Sequence, residues 1–189
     1  SSYTKFGPYM PGFEVIPYND LTSLKEALQD EHVCGFLVEP IQGEAGVVVP
    51  DEGYLSTAKQ YCEAANVLFI ADEIQTGLCR TGKMLACDHE TVSARLADNE
   101  IMMTIKPGKH GSTYGGNPLA CHVAITALKV LKDEQMDEKA EVLGQQLRDE
   151  LNALNSPFIS LIRGKGLLNA VIIKHQNPEA AWDLCVEMK

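Results

Sequence analysis

Residues 67–73 read VLFIADE, a run of apolar side chains that ends abruptly in two carboxylates. Residues 34–40, CGFLVEP, have the same character and also carry a carboxylate at their end. Between the two runs, residues 53–66 place apolar side chains at helical spacing. Short apolar runs joined by a helix are typical of buried parallel strands with a crossover helix. The sequence therefore predicts an α/β fold built on a parallel sheet.

Helical periodicity continues on both sides of this unit. Residues 21–30 follow Asp20, whose carboxylate suits an N-cap. Residues 117–134 begin with an Asn-Pro pair, the types favoured at the N-cap and the first helical position. A further helix is predicted over residues 137–154, with an apolar stripe along one side. The stripe consists of Val142, Leu143, Leu147, Leu151 and Leu154.

The polar break at residues 155–157, Asn-Ser-Pro, ends that helix and predicts a domain boundary. Residues 1–155 are interpreted as part of a large domain, and residues 156–189 as the start of a smaller one. Two strand-like runs follow the break. A last helix is predicted from residue 177 to the end of the chain.

Charge and hydropathy narrow the classes of partner. The 189 residues carry a formal net charge of -10, which opposes binding to nucleic acid or to an anionic membrane surface. No apolar run approaches the roughly 20 residues that a membrane span needs. Small-molecule or protein partners are therefore expected. The first residues lack a secretory signal and an initiator Met, and we interpret them as an internal piece of a longer chain.

Cysteine and histidine spacing indicates neither a disulfide framework nor a metal site. The six cysteines never form a C-x-x-C pair, which favours a reducing compartment. The five histidines are scattered without the spacing of metal ligands. No bound metal is expected.

The ends of the two predicted strands mark the candidate site. Glu39 closes one strand and Asp72 the other. In parallel α/β sheets, ligands bind outside the carboxyl ends of the strands, so both side chains should point into a shared crevice. For Glu39 and Glu73, local hydrogen bonding at a strand end is about as well supported as a catalytic role.

An apolar strand that ends in acidic residues also resembles the metal-binding strand of nucleotide triphosphatases. Residues 77–83, GLCRTGK, match the first seven positions of a phosphate loop. Met84, however, occupies the position of the hydroxyl that binds magnesium, and the segment follows the acidic strand instead of preceding it. The sequence therefore disfavours a triphosphatase.

Four strings carry a more specific resemblance. They are VEPIQGEAGVVVP at 38–50, FIADEIQTGLCRTGK at 69–83, GKHGSTYGGNP at 108–118 and RGKGLLNA at 163–170. The chain closely resembles the class III pyridoxal-phosphate-dependent aminotransferases, and among them the ornithine aminotransferase family. The resemblance implies the fold-type I architecture: a large α/β domain with a mostly parallel sheet, a small C-terminal α+β domain, and a homodimer or higher homo-oligomer.

The resemblance also implies roles for five side chains. Asp72 matches the aspartate that pairs with the pyridine nitrogen of pyridoxal 5'-phosphate, and Gln75 a residue that hydrogen-bonds the phenolic oxygen of that cofactor. Ser112 and Thr113 match residues that reach the cofactor phosphate of the neighbouring subunit. Glu44 matches a substrate-binding glutamate that pairs with a C-terminal arginine, which is absent from this sequence.

A Schiff-base lysine, which holds the cofactor and moves the substrate proton, is also implied. Val92 runs directly into Ser93 at the place where the family has it. The lysine and its strand are therefore absent, a gap of about eighteen residues against the family pattern. An incompletely recorded enzyme and a genuinely shortened protein both explain the gap. A chain made as written is expected to fold poorly, to aggregate through open strand edges and to be inactive.

The resemblance implies transfer of the side-chain amino group of ornithine to 2-oxoglutarate, giving glutamate 5-semialdehyde and glutamate. Two alternatives stay open at this point: another class III aminotransferase, acting on acetylornithine or 4-aminobutyrate, and a catalytically dead fragment that acts through protein contact. The family places the enzyme in the mitochondrial matrix of eukaryotes, and in the cytoplasm if the source is prokaryotic.

Overall fold

The structure, a computed structural model, describes residues 7–89, 99–111 and 117–188. Ser112, Thr113 and the junction between Val92 and Ser93 lie outside the described residues. The elements in chain order are α1 (Leu21–Ala27), β1 (Gly35–Val38), α2 (Tyr54–Ala64), β2 (Leu68–Ala71), a 3₁₀ helix (Ala86–His89), α3 (Asn99–Met102), α4 (Pro118–Asp133), α5 (Met136–Ala153), β3 (Ile159–Lys165), β4 (Leu168–Ile173) and α6 (Ala180–Glu187).

The predicted strand, helix, strand unit is confirmed. β1 and β2 pair in parallel, with Gly35 opposite Leu68 and Val38 opposite Ala71. Helix α2 connects them and packs against β2. The main-chain amide of Asp72 donates to the carbonyl of Val38 at 2.8 Å and continues the hydrogen bonding past the last paired residues. The carboxyl ends of both predicted strands therefore lie side by side at one end of the sheet.

Within the part of the chain that the structure describes, the helices cover one face of this sheet and leave the other bare. Val38, Tyr54 and Leu55 are buried together on the covered face. Partly buried side chains around them are Tyr18, Leu21, Phe36 and Phe69. On the opposite face Leu37, Leu68 and Ile70 are exposed. Parallel sheets are normally covered on both faces, so this face lacks the cover that its sequence is suited to.

Two predicted N-caps are confirmed. The Asp20 carboxylate accepts hydrogen bonds from the amides of Thr22 and Ser23 at the start of α1. The hydroxyl of Ser23 also donates to it, and these bonds hold the pKa of Asp20 below its usual value. The side chain of Asn117 accepts from the amide of Ala120 at 3.1 Å and begins α4.

Helix α5 does not pack through its leucine stripe. Ala140 and Gly144 are its buried residues, whereas Leu143 and Leu147 of the predicted stripe are exposed. The reason is a close approach: a Cβ at position 144 would collide with the carbonyl of Gly166, in the turn between β3 and β4. Only the smallest residue lets the helix and this turn lie so close together.

The C-terminal residues form an antiparallel hairpin followed by a helix. β3 pairs with β4, with Arg163 opposite Ala170, and both strands contact α5. The last helix, α6, begins at Ala180, later than predicted, because Asn177 makes a turn in front of it and accepts from the amide of Glu179. The helix ends at Glu187, so the expectation that it runs to the end of the chain is wrong. No helix among the described residues combines the length and apolar character needed to cross a membrane.

Candidate functional site

The candidate site lies where β1 and β2 end. Asp72 directly follows β2, and its Oδ1 accepts a hydrogen bond from the amide of Ile74 at 3.1 Å. Glu39 directly follows β1, and its Oε2 accepts from the amide of Gly43 at 3.1 Å. Each strand end thus presents a carboxylate that the local main chain orients.

Gln75 belongs to the same edge of the sheet. A Cβ added to Gly43 would lie 3.6 Å from Cγ of Gln75 and 4.0 Å from Oε2 of Glu39. The segment after β2 therefore packs against the segment after β1, with Gln75 at ordinary van der Waals distance from position 43. No hydrogen bond restrains the amide of Gln75 within residues 7–89, 99–111 and 117–188, so it is available to a ligand.

A tight turn follows β1 and carries Glu44. Gln42 and Val48 pair across its base through two main-chain hydrogen bonds of 3.1 and 2.9 Å. The amides of Gly46 and Val47 both donate to the carbonyl of Gly43. Glu44 lies inside this turn, exposed to solvent. The turn therefore presents a solvent-exposed carboxylate just past the end of β1.

Arg163 of β3 makes a tertiary contact with this turn. Its Nε and Nη2 donate to the carbonyl of Gly46 at 2.9 and 2.6 Å. The interaction joins residues 117 positions apart in sequence. This contact is not predictable from the sequence, because a bond between a side chain and a main-chain carbonyl leaves no pattern along the chain.

Glu73 has a structural role. Its carboxylate accepts from the hydroxyl of Thr76 and from the amides of Ala86 and Cys87, the two amides at 3.0 Å. These two amides belong to the first turn of the 3₁₀ helix, so Glu73 ties this helix to the end of β2. Of the two roles that the sequence left open, local hydrogen bonding explains this geometry.

The segment that mimics a phosphate loop serves as a contact surface. The carbonyl of Arg80 accepts from the amide of Leu167 at 2.9 Å. A Cβ at Gly166 would lie 2.5 Å from the main-chain nitrogen of Gly82. The main chain of residues 80–82 is therefore in close contact with the turn between β3 and β4.

One expectation about the site is wrong for this chain. Glu39 and Asp72 were expected to point into a shared crevice, but Asp72 is exposed to solvent, as is Gln75. The physical reason is the missing cover, since the adjoining face of the sheet is bare among the described residues. In the part of the chain that the structure describes, no group of three or more His, Cys, Asp or Glu side chains is placed to hold a metal ion.

Nearly the whole chain matches one family. The class-III aminotransferase family profile matches residues 2–189, and the chain belongs to this family. The mitochondrial ornithine aminotransferase of Rattus norvegicus is 54% identical, with 100% of this chain and 47% of the rat protein aligned. The chain thus spans about half the length of the curated relatives it matches.

Two solved structures extend the comparison. An ornithine aminotransferase from Toxoplasma gondii, with PLP at partial occupancy in its active site, is 50% identical with a TM-score of 0.87. The match covers 91% of this chain and 45% of that one. An acetylornithine aminotransferase from Elizabethkingia anophelis is 49% identical with a TM-score of 0.89, covering 94% of this chain and 50% of that one.

The alignment length bears on the missing lysine segment. The alignment with the rat protein extends over 207 positions, whereas this chain has 189 residues, a difference of 18. That difference agrees with the predicted gap of about eighteen residues. The junction where the gap was predicted lies outside the described residues.

Proposed function

We propose that this chain supplies the strand-end part of the active site of a pyridoxal-phosphate-dependent ornithine aminotransferase. The carrying observation is the pair Asp72 and Gln75, held at the end of β2 with their polar groups facing solvent. An anion suits a protonated ring nitrogen, and a free amide suits a phenolic oxygen, so the two residues fit this cofactor. When bound, the cofactor would supply an electron sink for the substrate carbon.

Each residue then has a defined task. Asp72 would keep the ring nitrogen protonated, because its negative charge favours the cationic ring. The amide of Ile74 orients the carboxylate by donating to its Oδ1. Gln75 would donate to the ring oxygen. Ser112 and Thr113, which lie outside the described residues, would reach the phosphate of the neighbouring subunit. Glu44 would bind the substrate.

The proposed amino donor is ornithine and the acceptor 2-oxoglutarate. Relatives and solved structures that bear the ornithine name support this choice. Acetylornithine is the second candidate, because an acetylornithine aminotransferase matches this chain with equal structural similarity. Acetylation removes the positive charge of the α-amino group and leaves the side-chain amino group free for transfer, so rates measured with both donors distinguish the two substrates directly.

We further propose a homodimer whose subunits share the site. Support comes from α4, which exposes Leu119, Val123 and Ile125 and buries none of its residues. An apolar helix of this kind is typical of a surface that a partner covers. The mitochondrial name of the rat relative supports a location in the mitochondrial matrix. We also keep the two-domain division, residues 1–155 and 156–189, as a proposal.

The test is Asp72→Asn in the full-length protein, assayed with ornithine and 2-oxoglutarate in the presence of pyridoxal phosphate. The neutral amide would no longer hold a proton on the ring nitrogen, so kcat should fall about 10²- to 10³-fold. Because Asp72 is exposed, the unfolding free energy should change by less than about 0.5 kcal/mol. Asp51→Asn is the matched control, since Asp51 is also exposed. Full activity in Asp72→Asn would refute the assignment.

The missing lysine separates an enzyme from an inactive fragment. Sequencing the gene or transcript across Val92 and Ser93 decides between them, because a lysine-bearing segment found there removes the fragment alternative. Without that lysine, the 189-residue chain should give no transamination even with added cofactor. Detectable glutamate 5-semialdehyde from that chain would contradict this expectation.

A further inference from the structure

We propose that Arg163 is a positioning residue that fixes the turn at residues 42–48 and thereby sets the place of the Glu44 carboxylate. The proposal rests on the proposed function, because its effect is measured on the two substrates. Through Arg163, the C-terminal hairpin would directly restrain a turn at the end of β1.

The contact is directional. Arg163 lies in β3 opposite Ala170 and is half buried, so the hairpin limits where its side chain can reach. Two of its donors, Nε and Nη2, converge on a single acceptor, the carbonyl of Gly46. Charged donors make stronger hydrogen bonds than neutral ones. The guanidinium therefore ties the turn at a point that none of the turn's own hydrogen bonds reaches.

The turn needs such a tie because it contains an unfavourable conformation. Val47, the residue after the bonded carbonyl, has φ of 54°, a left-handed value that β-branched residues rarely adopt. Residues of this kind persist only where the surrounding structure holds them. The pairing of Gln42 with Val48 holds the base of the turn, and Arg163 holds the peptide that joins Gly46 to Val47. Without Arg163, we expect Val47 to relax and Glu44 to move.

The consequence depends on charge. Glu44 is exposed and makes no ion pair or hydrogen bond with any residue in the described ranges 7–89, 99–111 and 117–188. A carboxylate held in this turn attracts a substrate with a cationic side chain and repels an anionic one. Moving Glu44 should therefore weaken binding of the cationic amino donor and should not weaken binding of the anionic 2-oxo acid.

The experiment replaces Arg163 in the full-length protein by Met, which keeps the length and removes the donors, and by Lys, which keeps one charged donor group. We expect the KM for ornithine to rise about ten-fold in Arg163→Met while the KM for 2-oxoglutarate does not rise. Arg163→Lys should lie between Arg163→Met and the unaltered protein. The matched control is Arg148→Met. Arg148 also donates a hydrogen bond to a main-chain carbonyl, that of Gly166 between β3 and β4. Among the described residues, it makes no hydrogen bond to the turn at residues 42–48.

A double-mutant cycle tests the strain itself. Glycine adopts left-handed conformations freely, so Val47→Gly should remove the need for the tie. Arg163→Met should then change the KM for ornithine by less than about two-fold when combined with Val47→Gly. The single Val47→Gly variant is the control that measures the effect of losing the packing of this buried side chain.

The outcomes separate this proposal from the proposed function. If the unaltered protein transaminates ornithine but Arg163→Met raises both KM values equally, or matches Arg148→Met, the positioning role is wrong and the function stands. If the unaltered protein transaminates no cationic donor, the proposed function fails first. An undiminished effect of Arg163→Met in the Val47→Gly background would also overturn the proposal.

Discussion

Helices α2 and α4 have similar amphipathic sequences but different surroundings. The 11-residue helix α2 buries Tyr54, Leu55, Ala58 and Cys62 against the sheet. The 16-residue helix α4 has a larger share of apolar residues and buries none of them. The periodicity of a helix therefore predicts which side can be buried, whereas the neighbouring elements decide whether it is. Among the described residues, α2 has a sheet to pack on, whereas α4 packs mainly against α5, with most of its apolar side uncovered.

The two faces of the parallel sheet show the same contrast. Val38 and Phe36 pack under the helices, while Leu37, between them in sequence, points to the bare side and is exposed. Strands with apolar residues on both faces are typical of sheets covered twice. The bare face and α4 are thus two of the surfaces on which the described residues leave apolar side chains without cover.

The largest expected difference between α2 and α4 is in stability. Leu55→Ala should lower the unfolding free energy by about 2–5 kcal/mol at every protein concentration, because it leaves a cavity inside the chain. Leu119→Ala should lower it only through weaker association of subunits, so its effect should fade as the protein is diluted. Denaturant unfolding over a wide range of protein concentration measures both.

Either of two results would break this comparison. A concentration-independent loss in Leu119→Ala, as large as that in Leu55→Ala, would mean that α4 is covered within its own chain. No loss at any concentration would mean that nothing covers α4, and the proposed homodimer would lose its structural support.

Thiol reactivity gives a second, smaller contrast between the same helices. Burial, with a further contribution from the charge of Glu63, raises the pKa of Cys62 to about 11. Only the thiolate reacts, and at pH 8 about one Cys62 thiol in a thousand is ionised. Cys121 on α4 is exposed. In dilute protein, we expect a thiol reagent to modify Cys62 at least about 100-fold more slowly than Cys121.

The pH dependence adds a check on the cause. Because the pKa of Cys62 is raised, its thiolate fraction should increase about ten-fold per pH unit between pH 8 and pH 10. Modification of Cys62 should accelerate by that factor if the fold persists. Unfolding in denaturant should remove the protection of Cys62, and a Cys121→Ser variant identifies the fast site. Equal rates in the folded protein would contradict the burial of Cys62.

Local chemistry made much of this fold predictable. The β1, α2 and β2 unit and the caps Asp20 and Asn117 each depend on residues within a few positions of one another. The packing of α5 was not predictable, because the approach of Gly166 to Gly144 is a tertiary contact that overrides the leucine stripe. A helix buries the side that a neighbour approaches, and no property of its own sequence identifies that neighbour.

The site divides in the same way. The place of Asp72 followed from the end of an apolar run, but its exposure did not, since exposure depends on which elements cover the sheet. The left-handed conformation of Val47 and its tie to Arg163 left no trace in the sequence. Strand ends can thus be read from local pattern, whereas the support of a turn depends on residues far away along the chain.

The smallest expected difference concerns how the two helices begin. Helix α2 follows Gly53 without a side-chain cap, while α4 begins at Asn117, whose side chain bonds the amide of Ala120. Since α4 has little packing to hold it, its first turn should depend on this cap. Asn117→Ala should destabilise that turn by about 1 kcal/mol, which corresponds to about five-fold faster amide hydrogen exchange of Ala120 in dilute protein. Asn117→Asp keeps the acceptor and should exchange at the original rate. Unchanged exchange in Asn117→Ala would show that packing, not the cap, holds the start of α4, and would remove the contrast with α2.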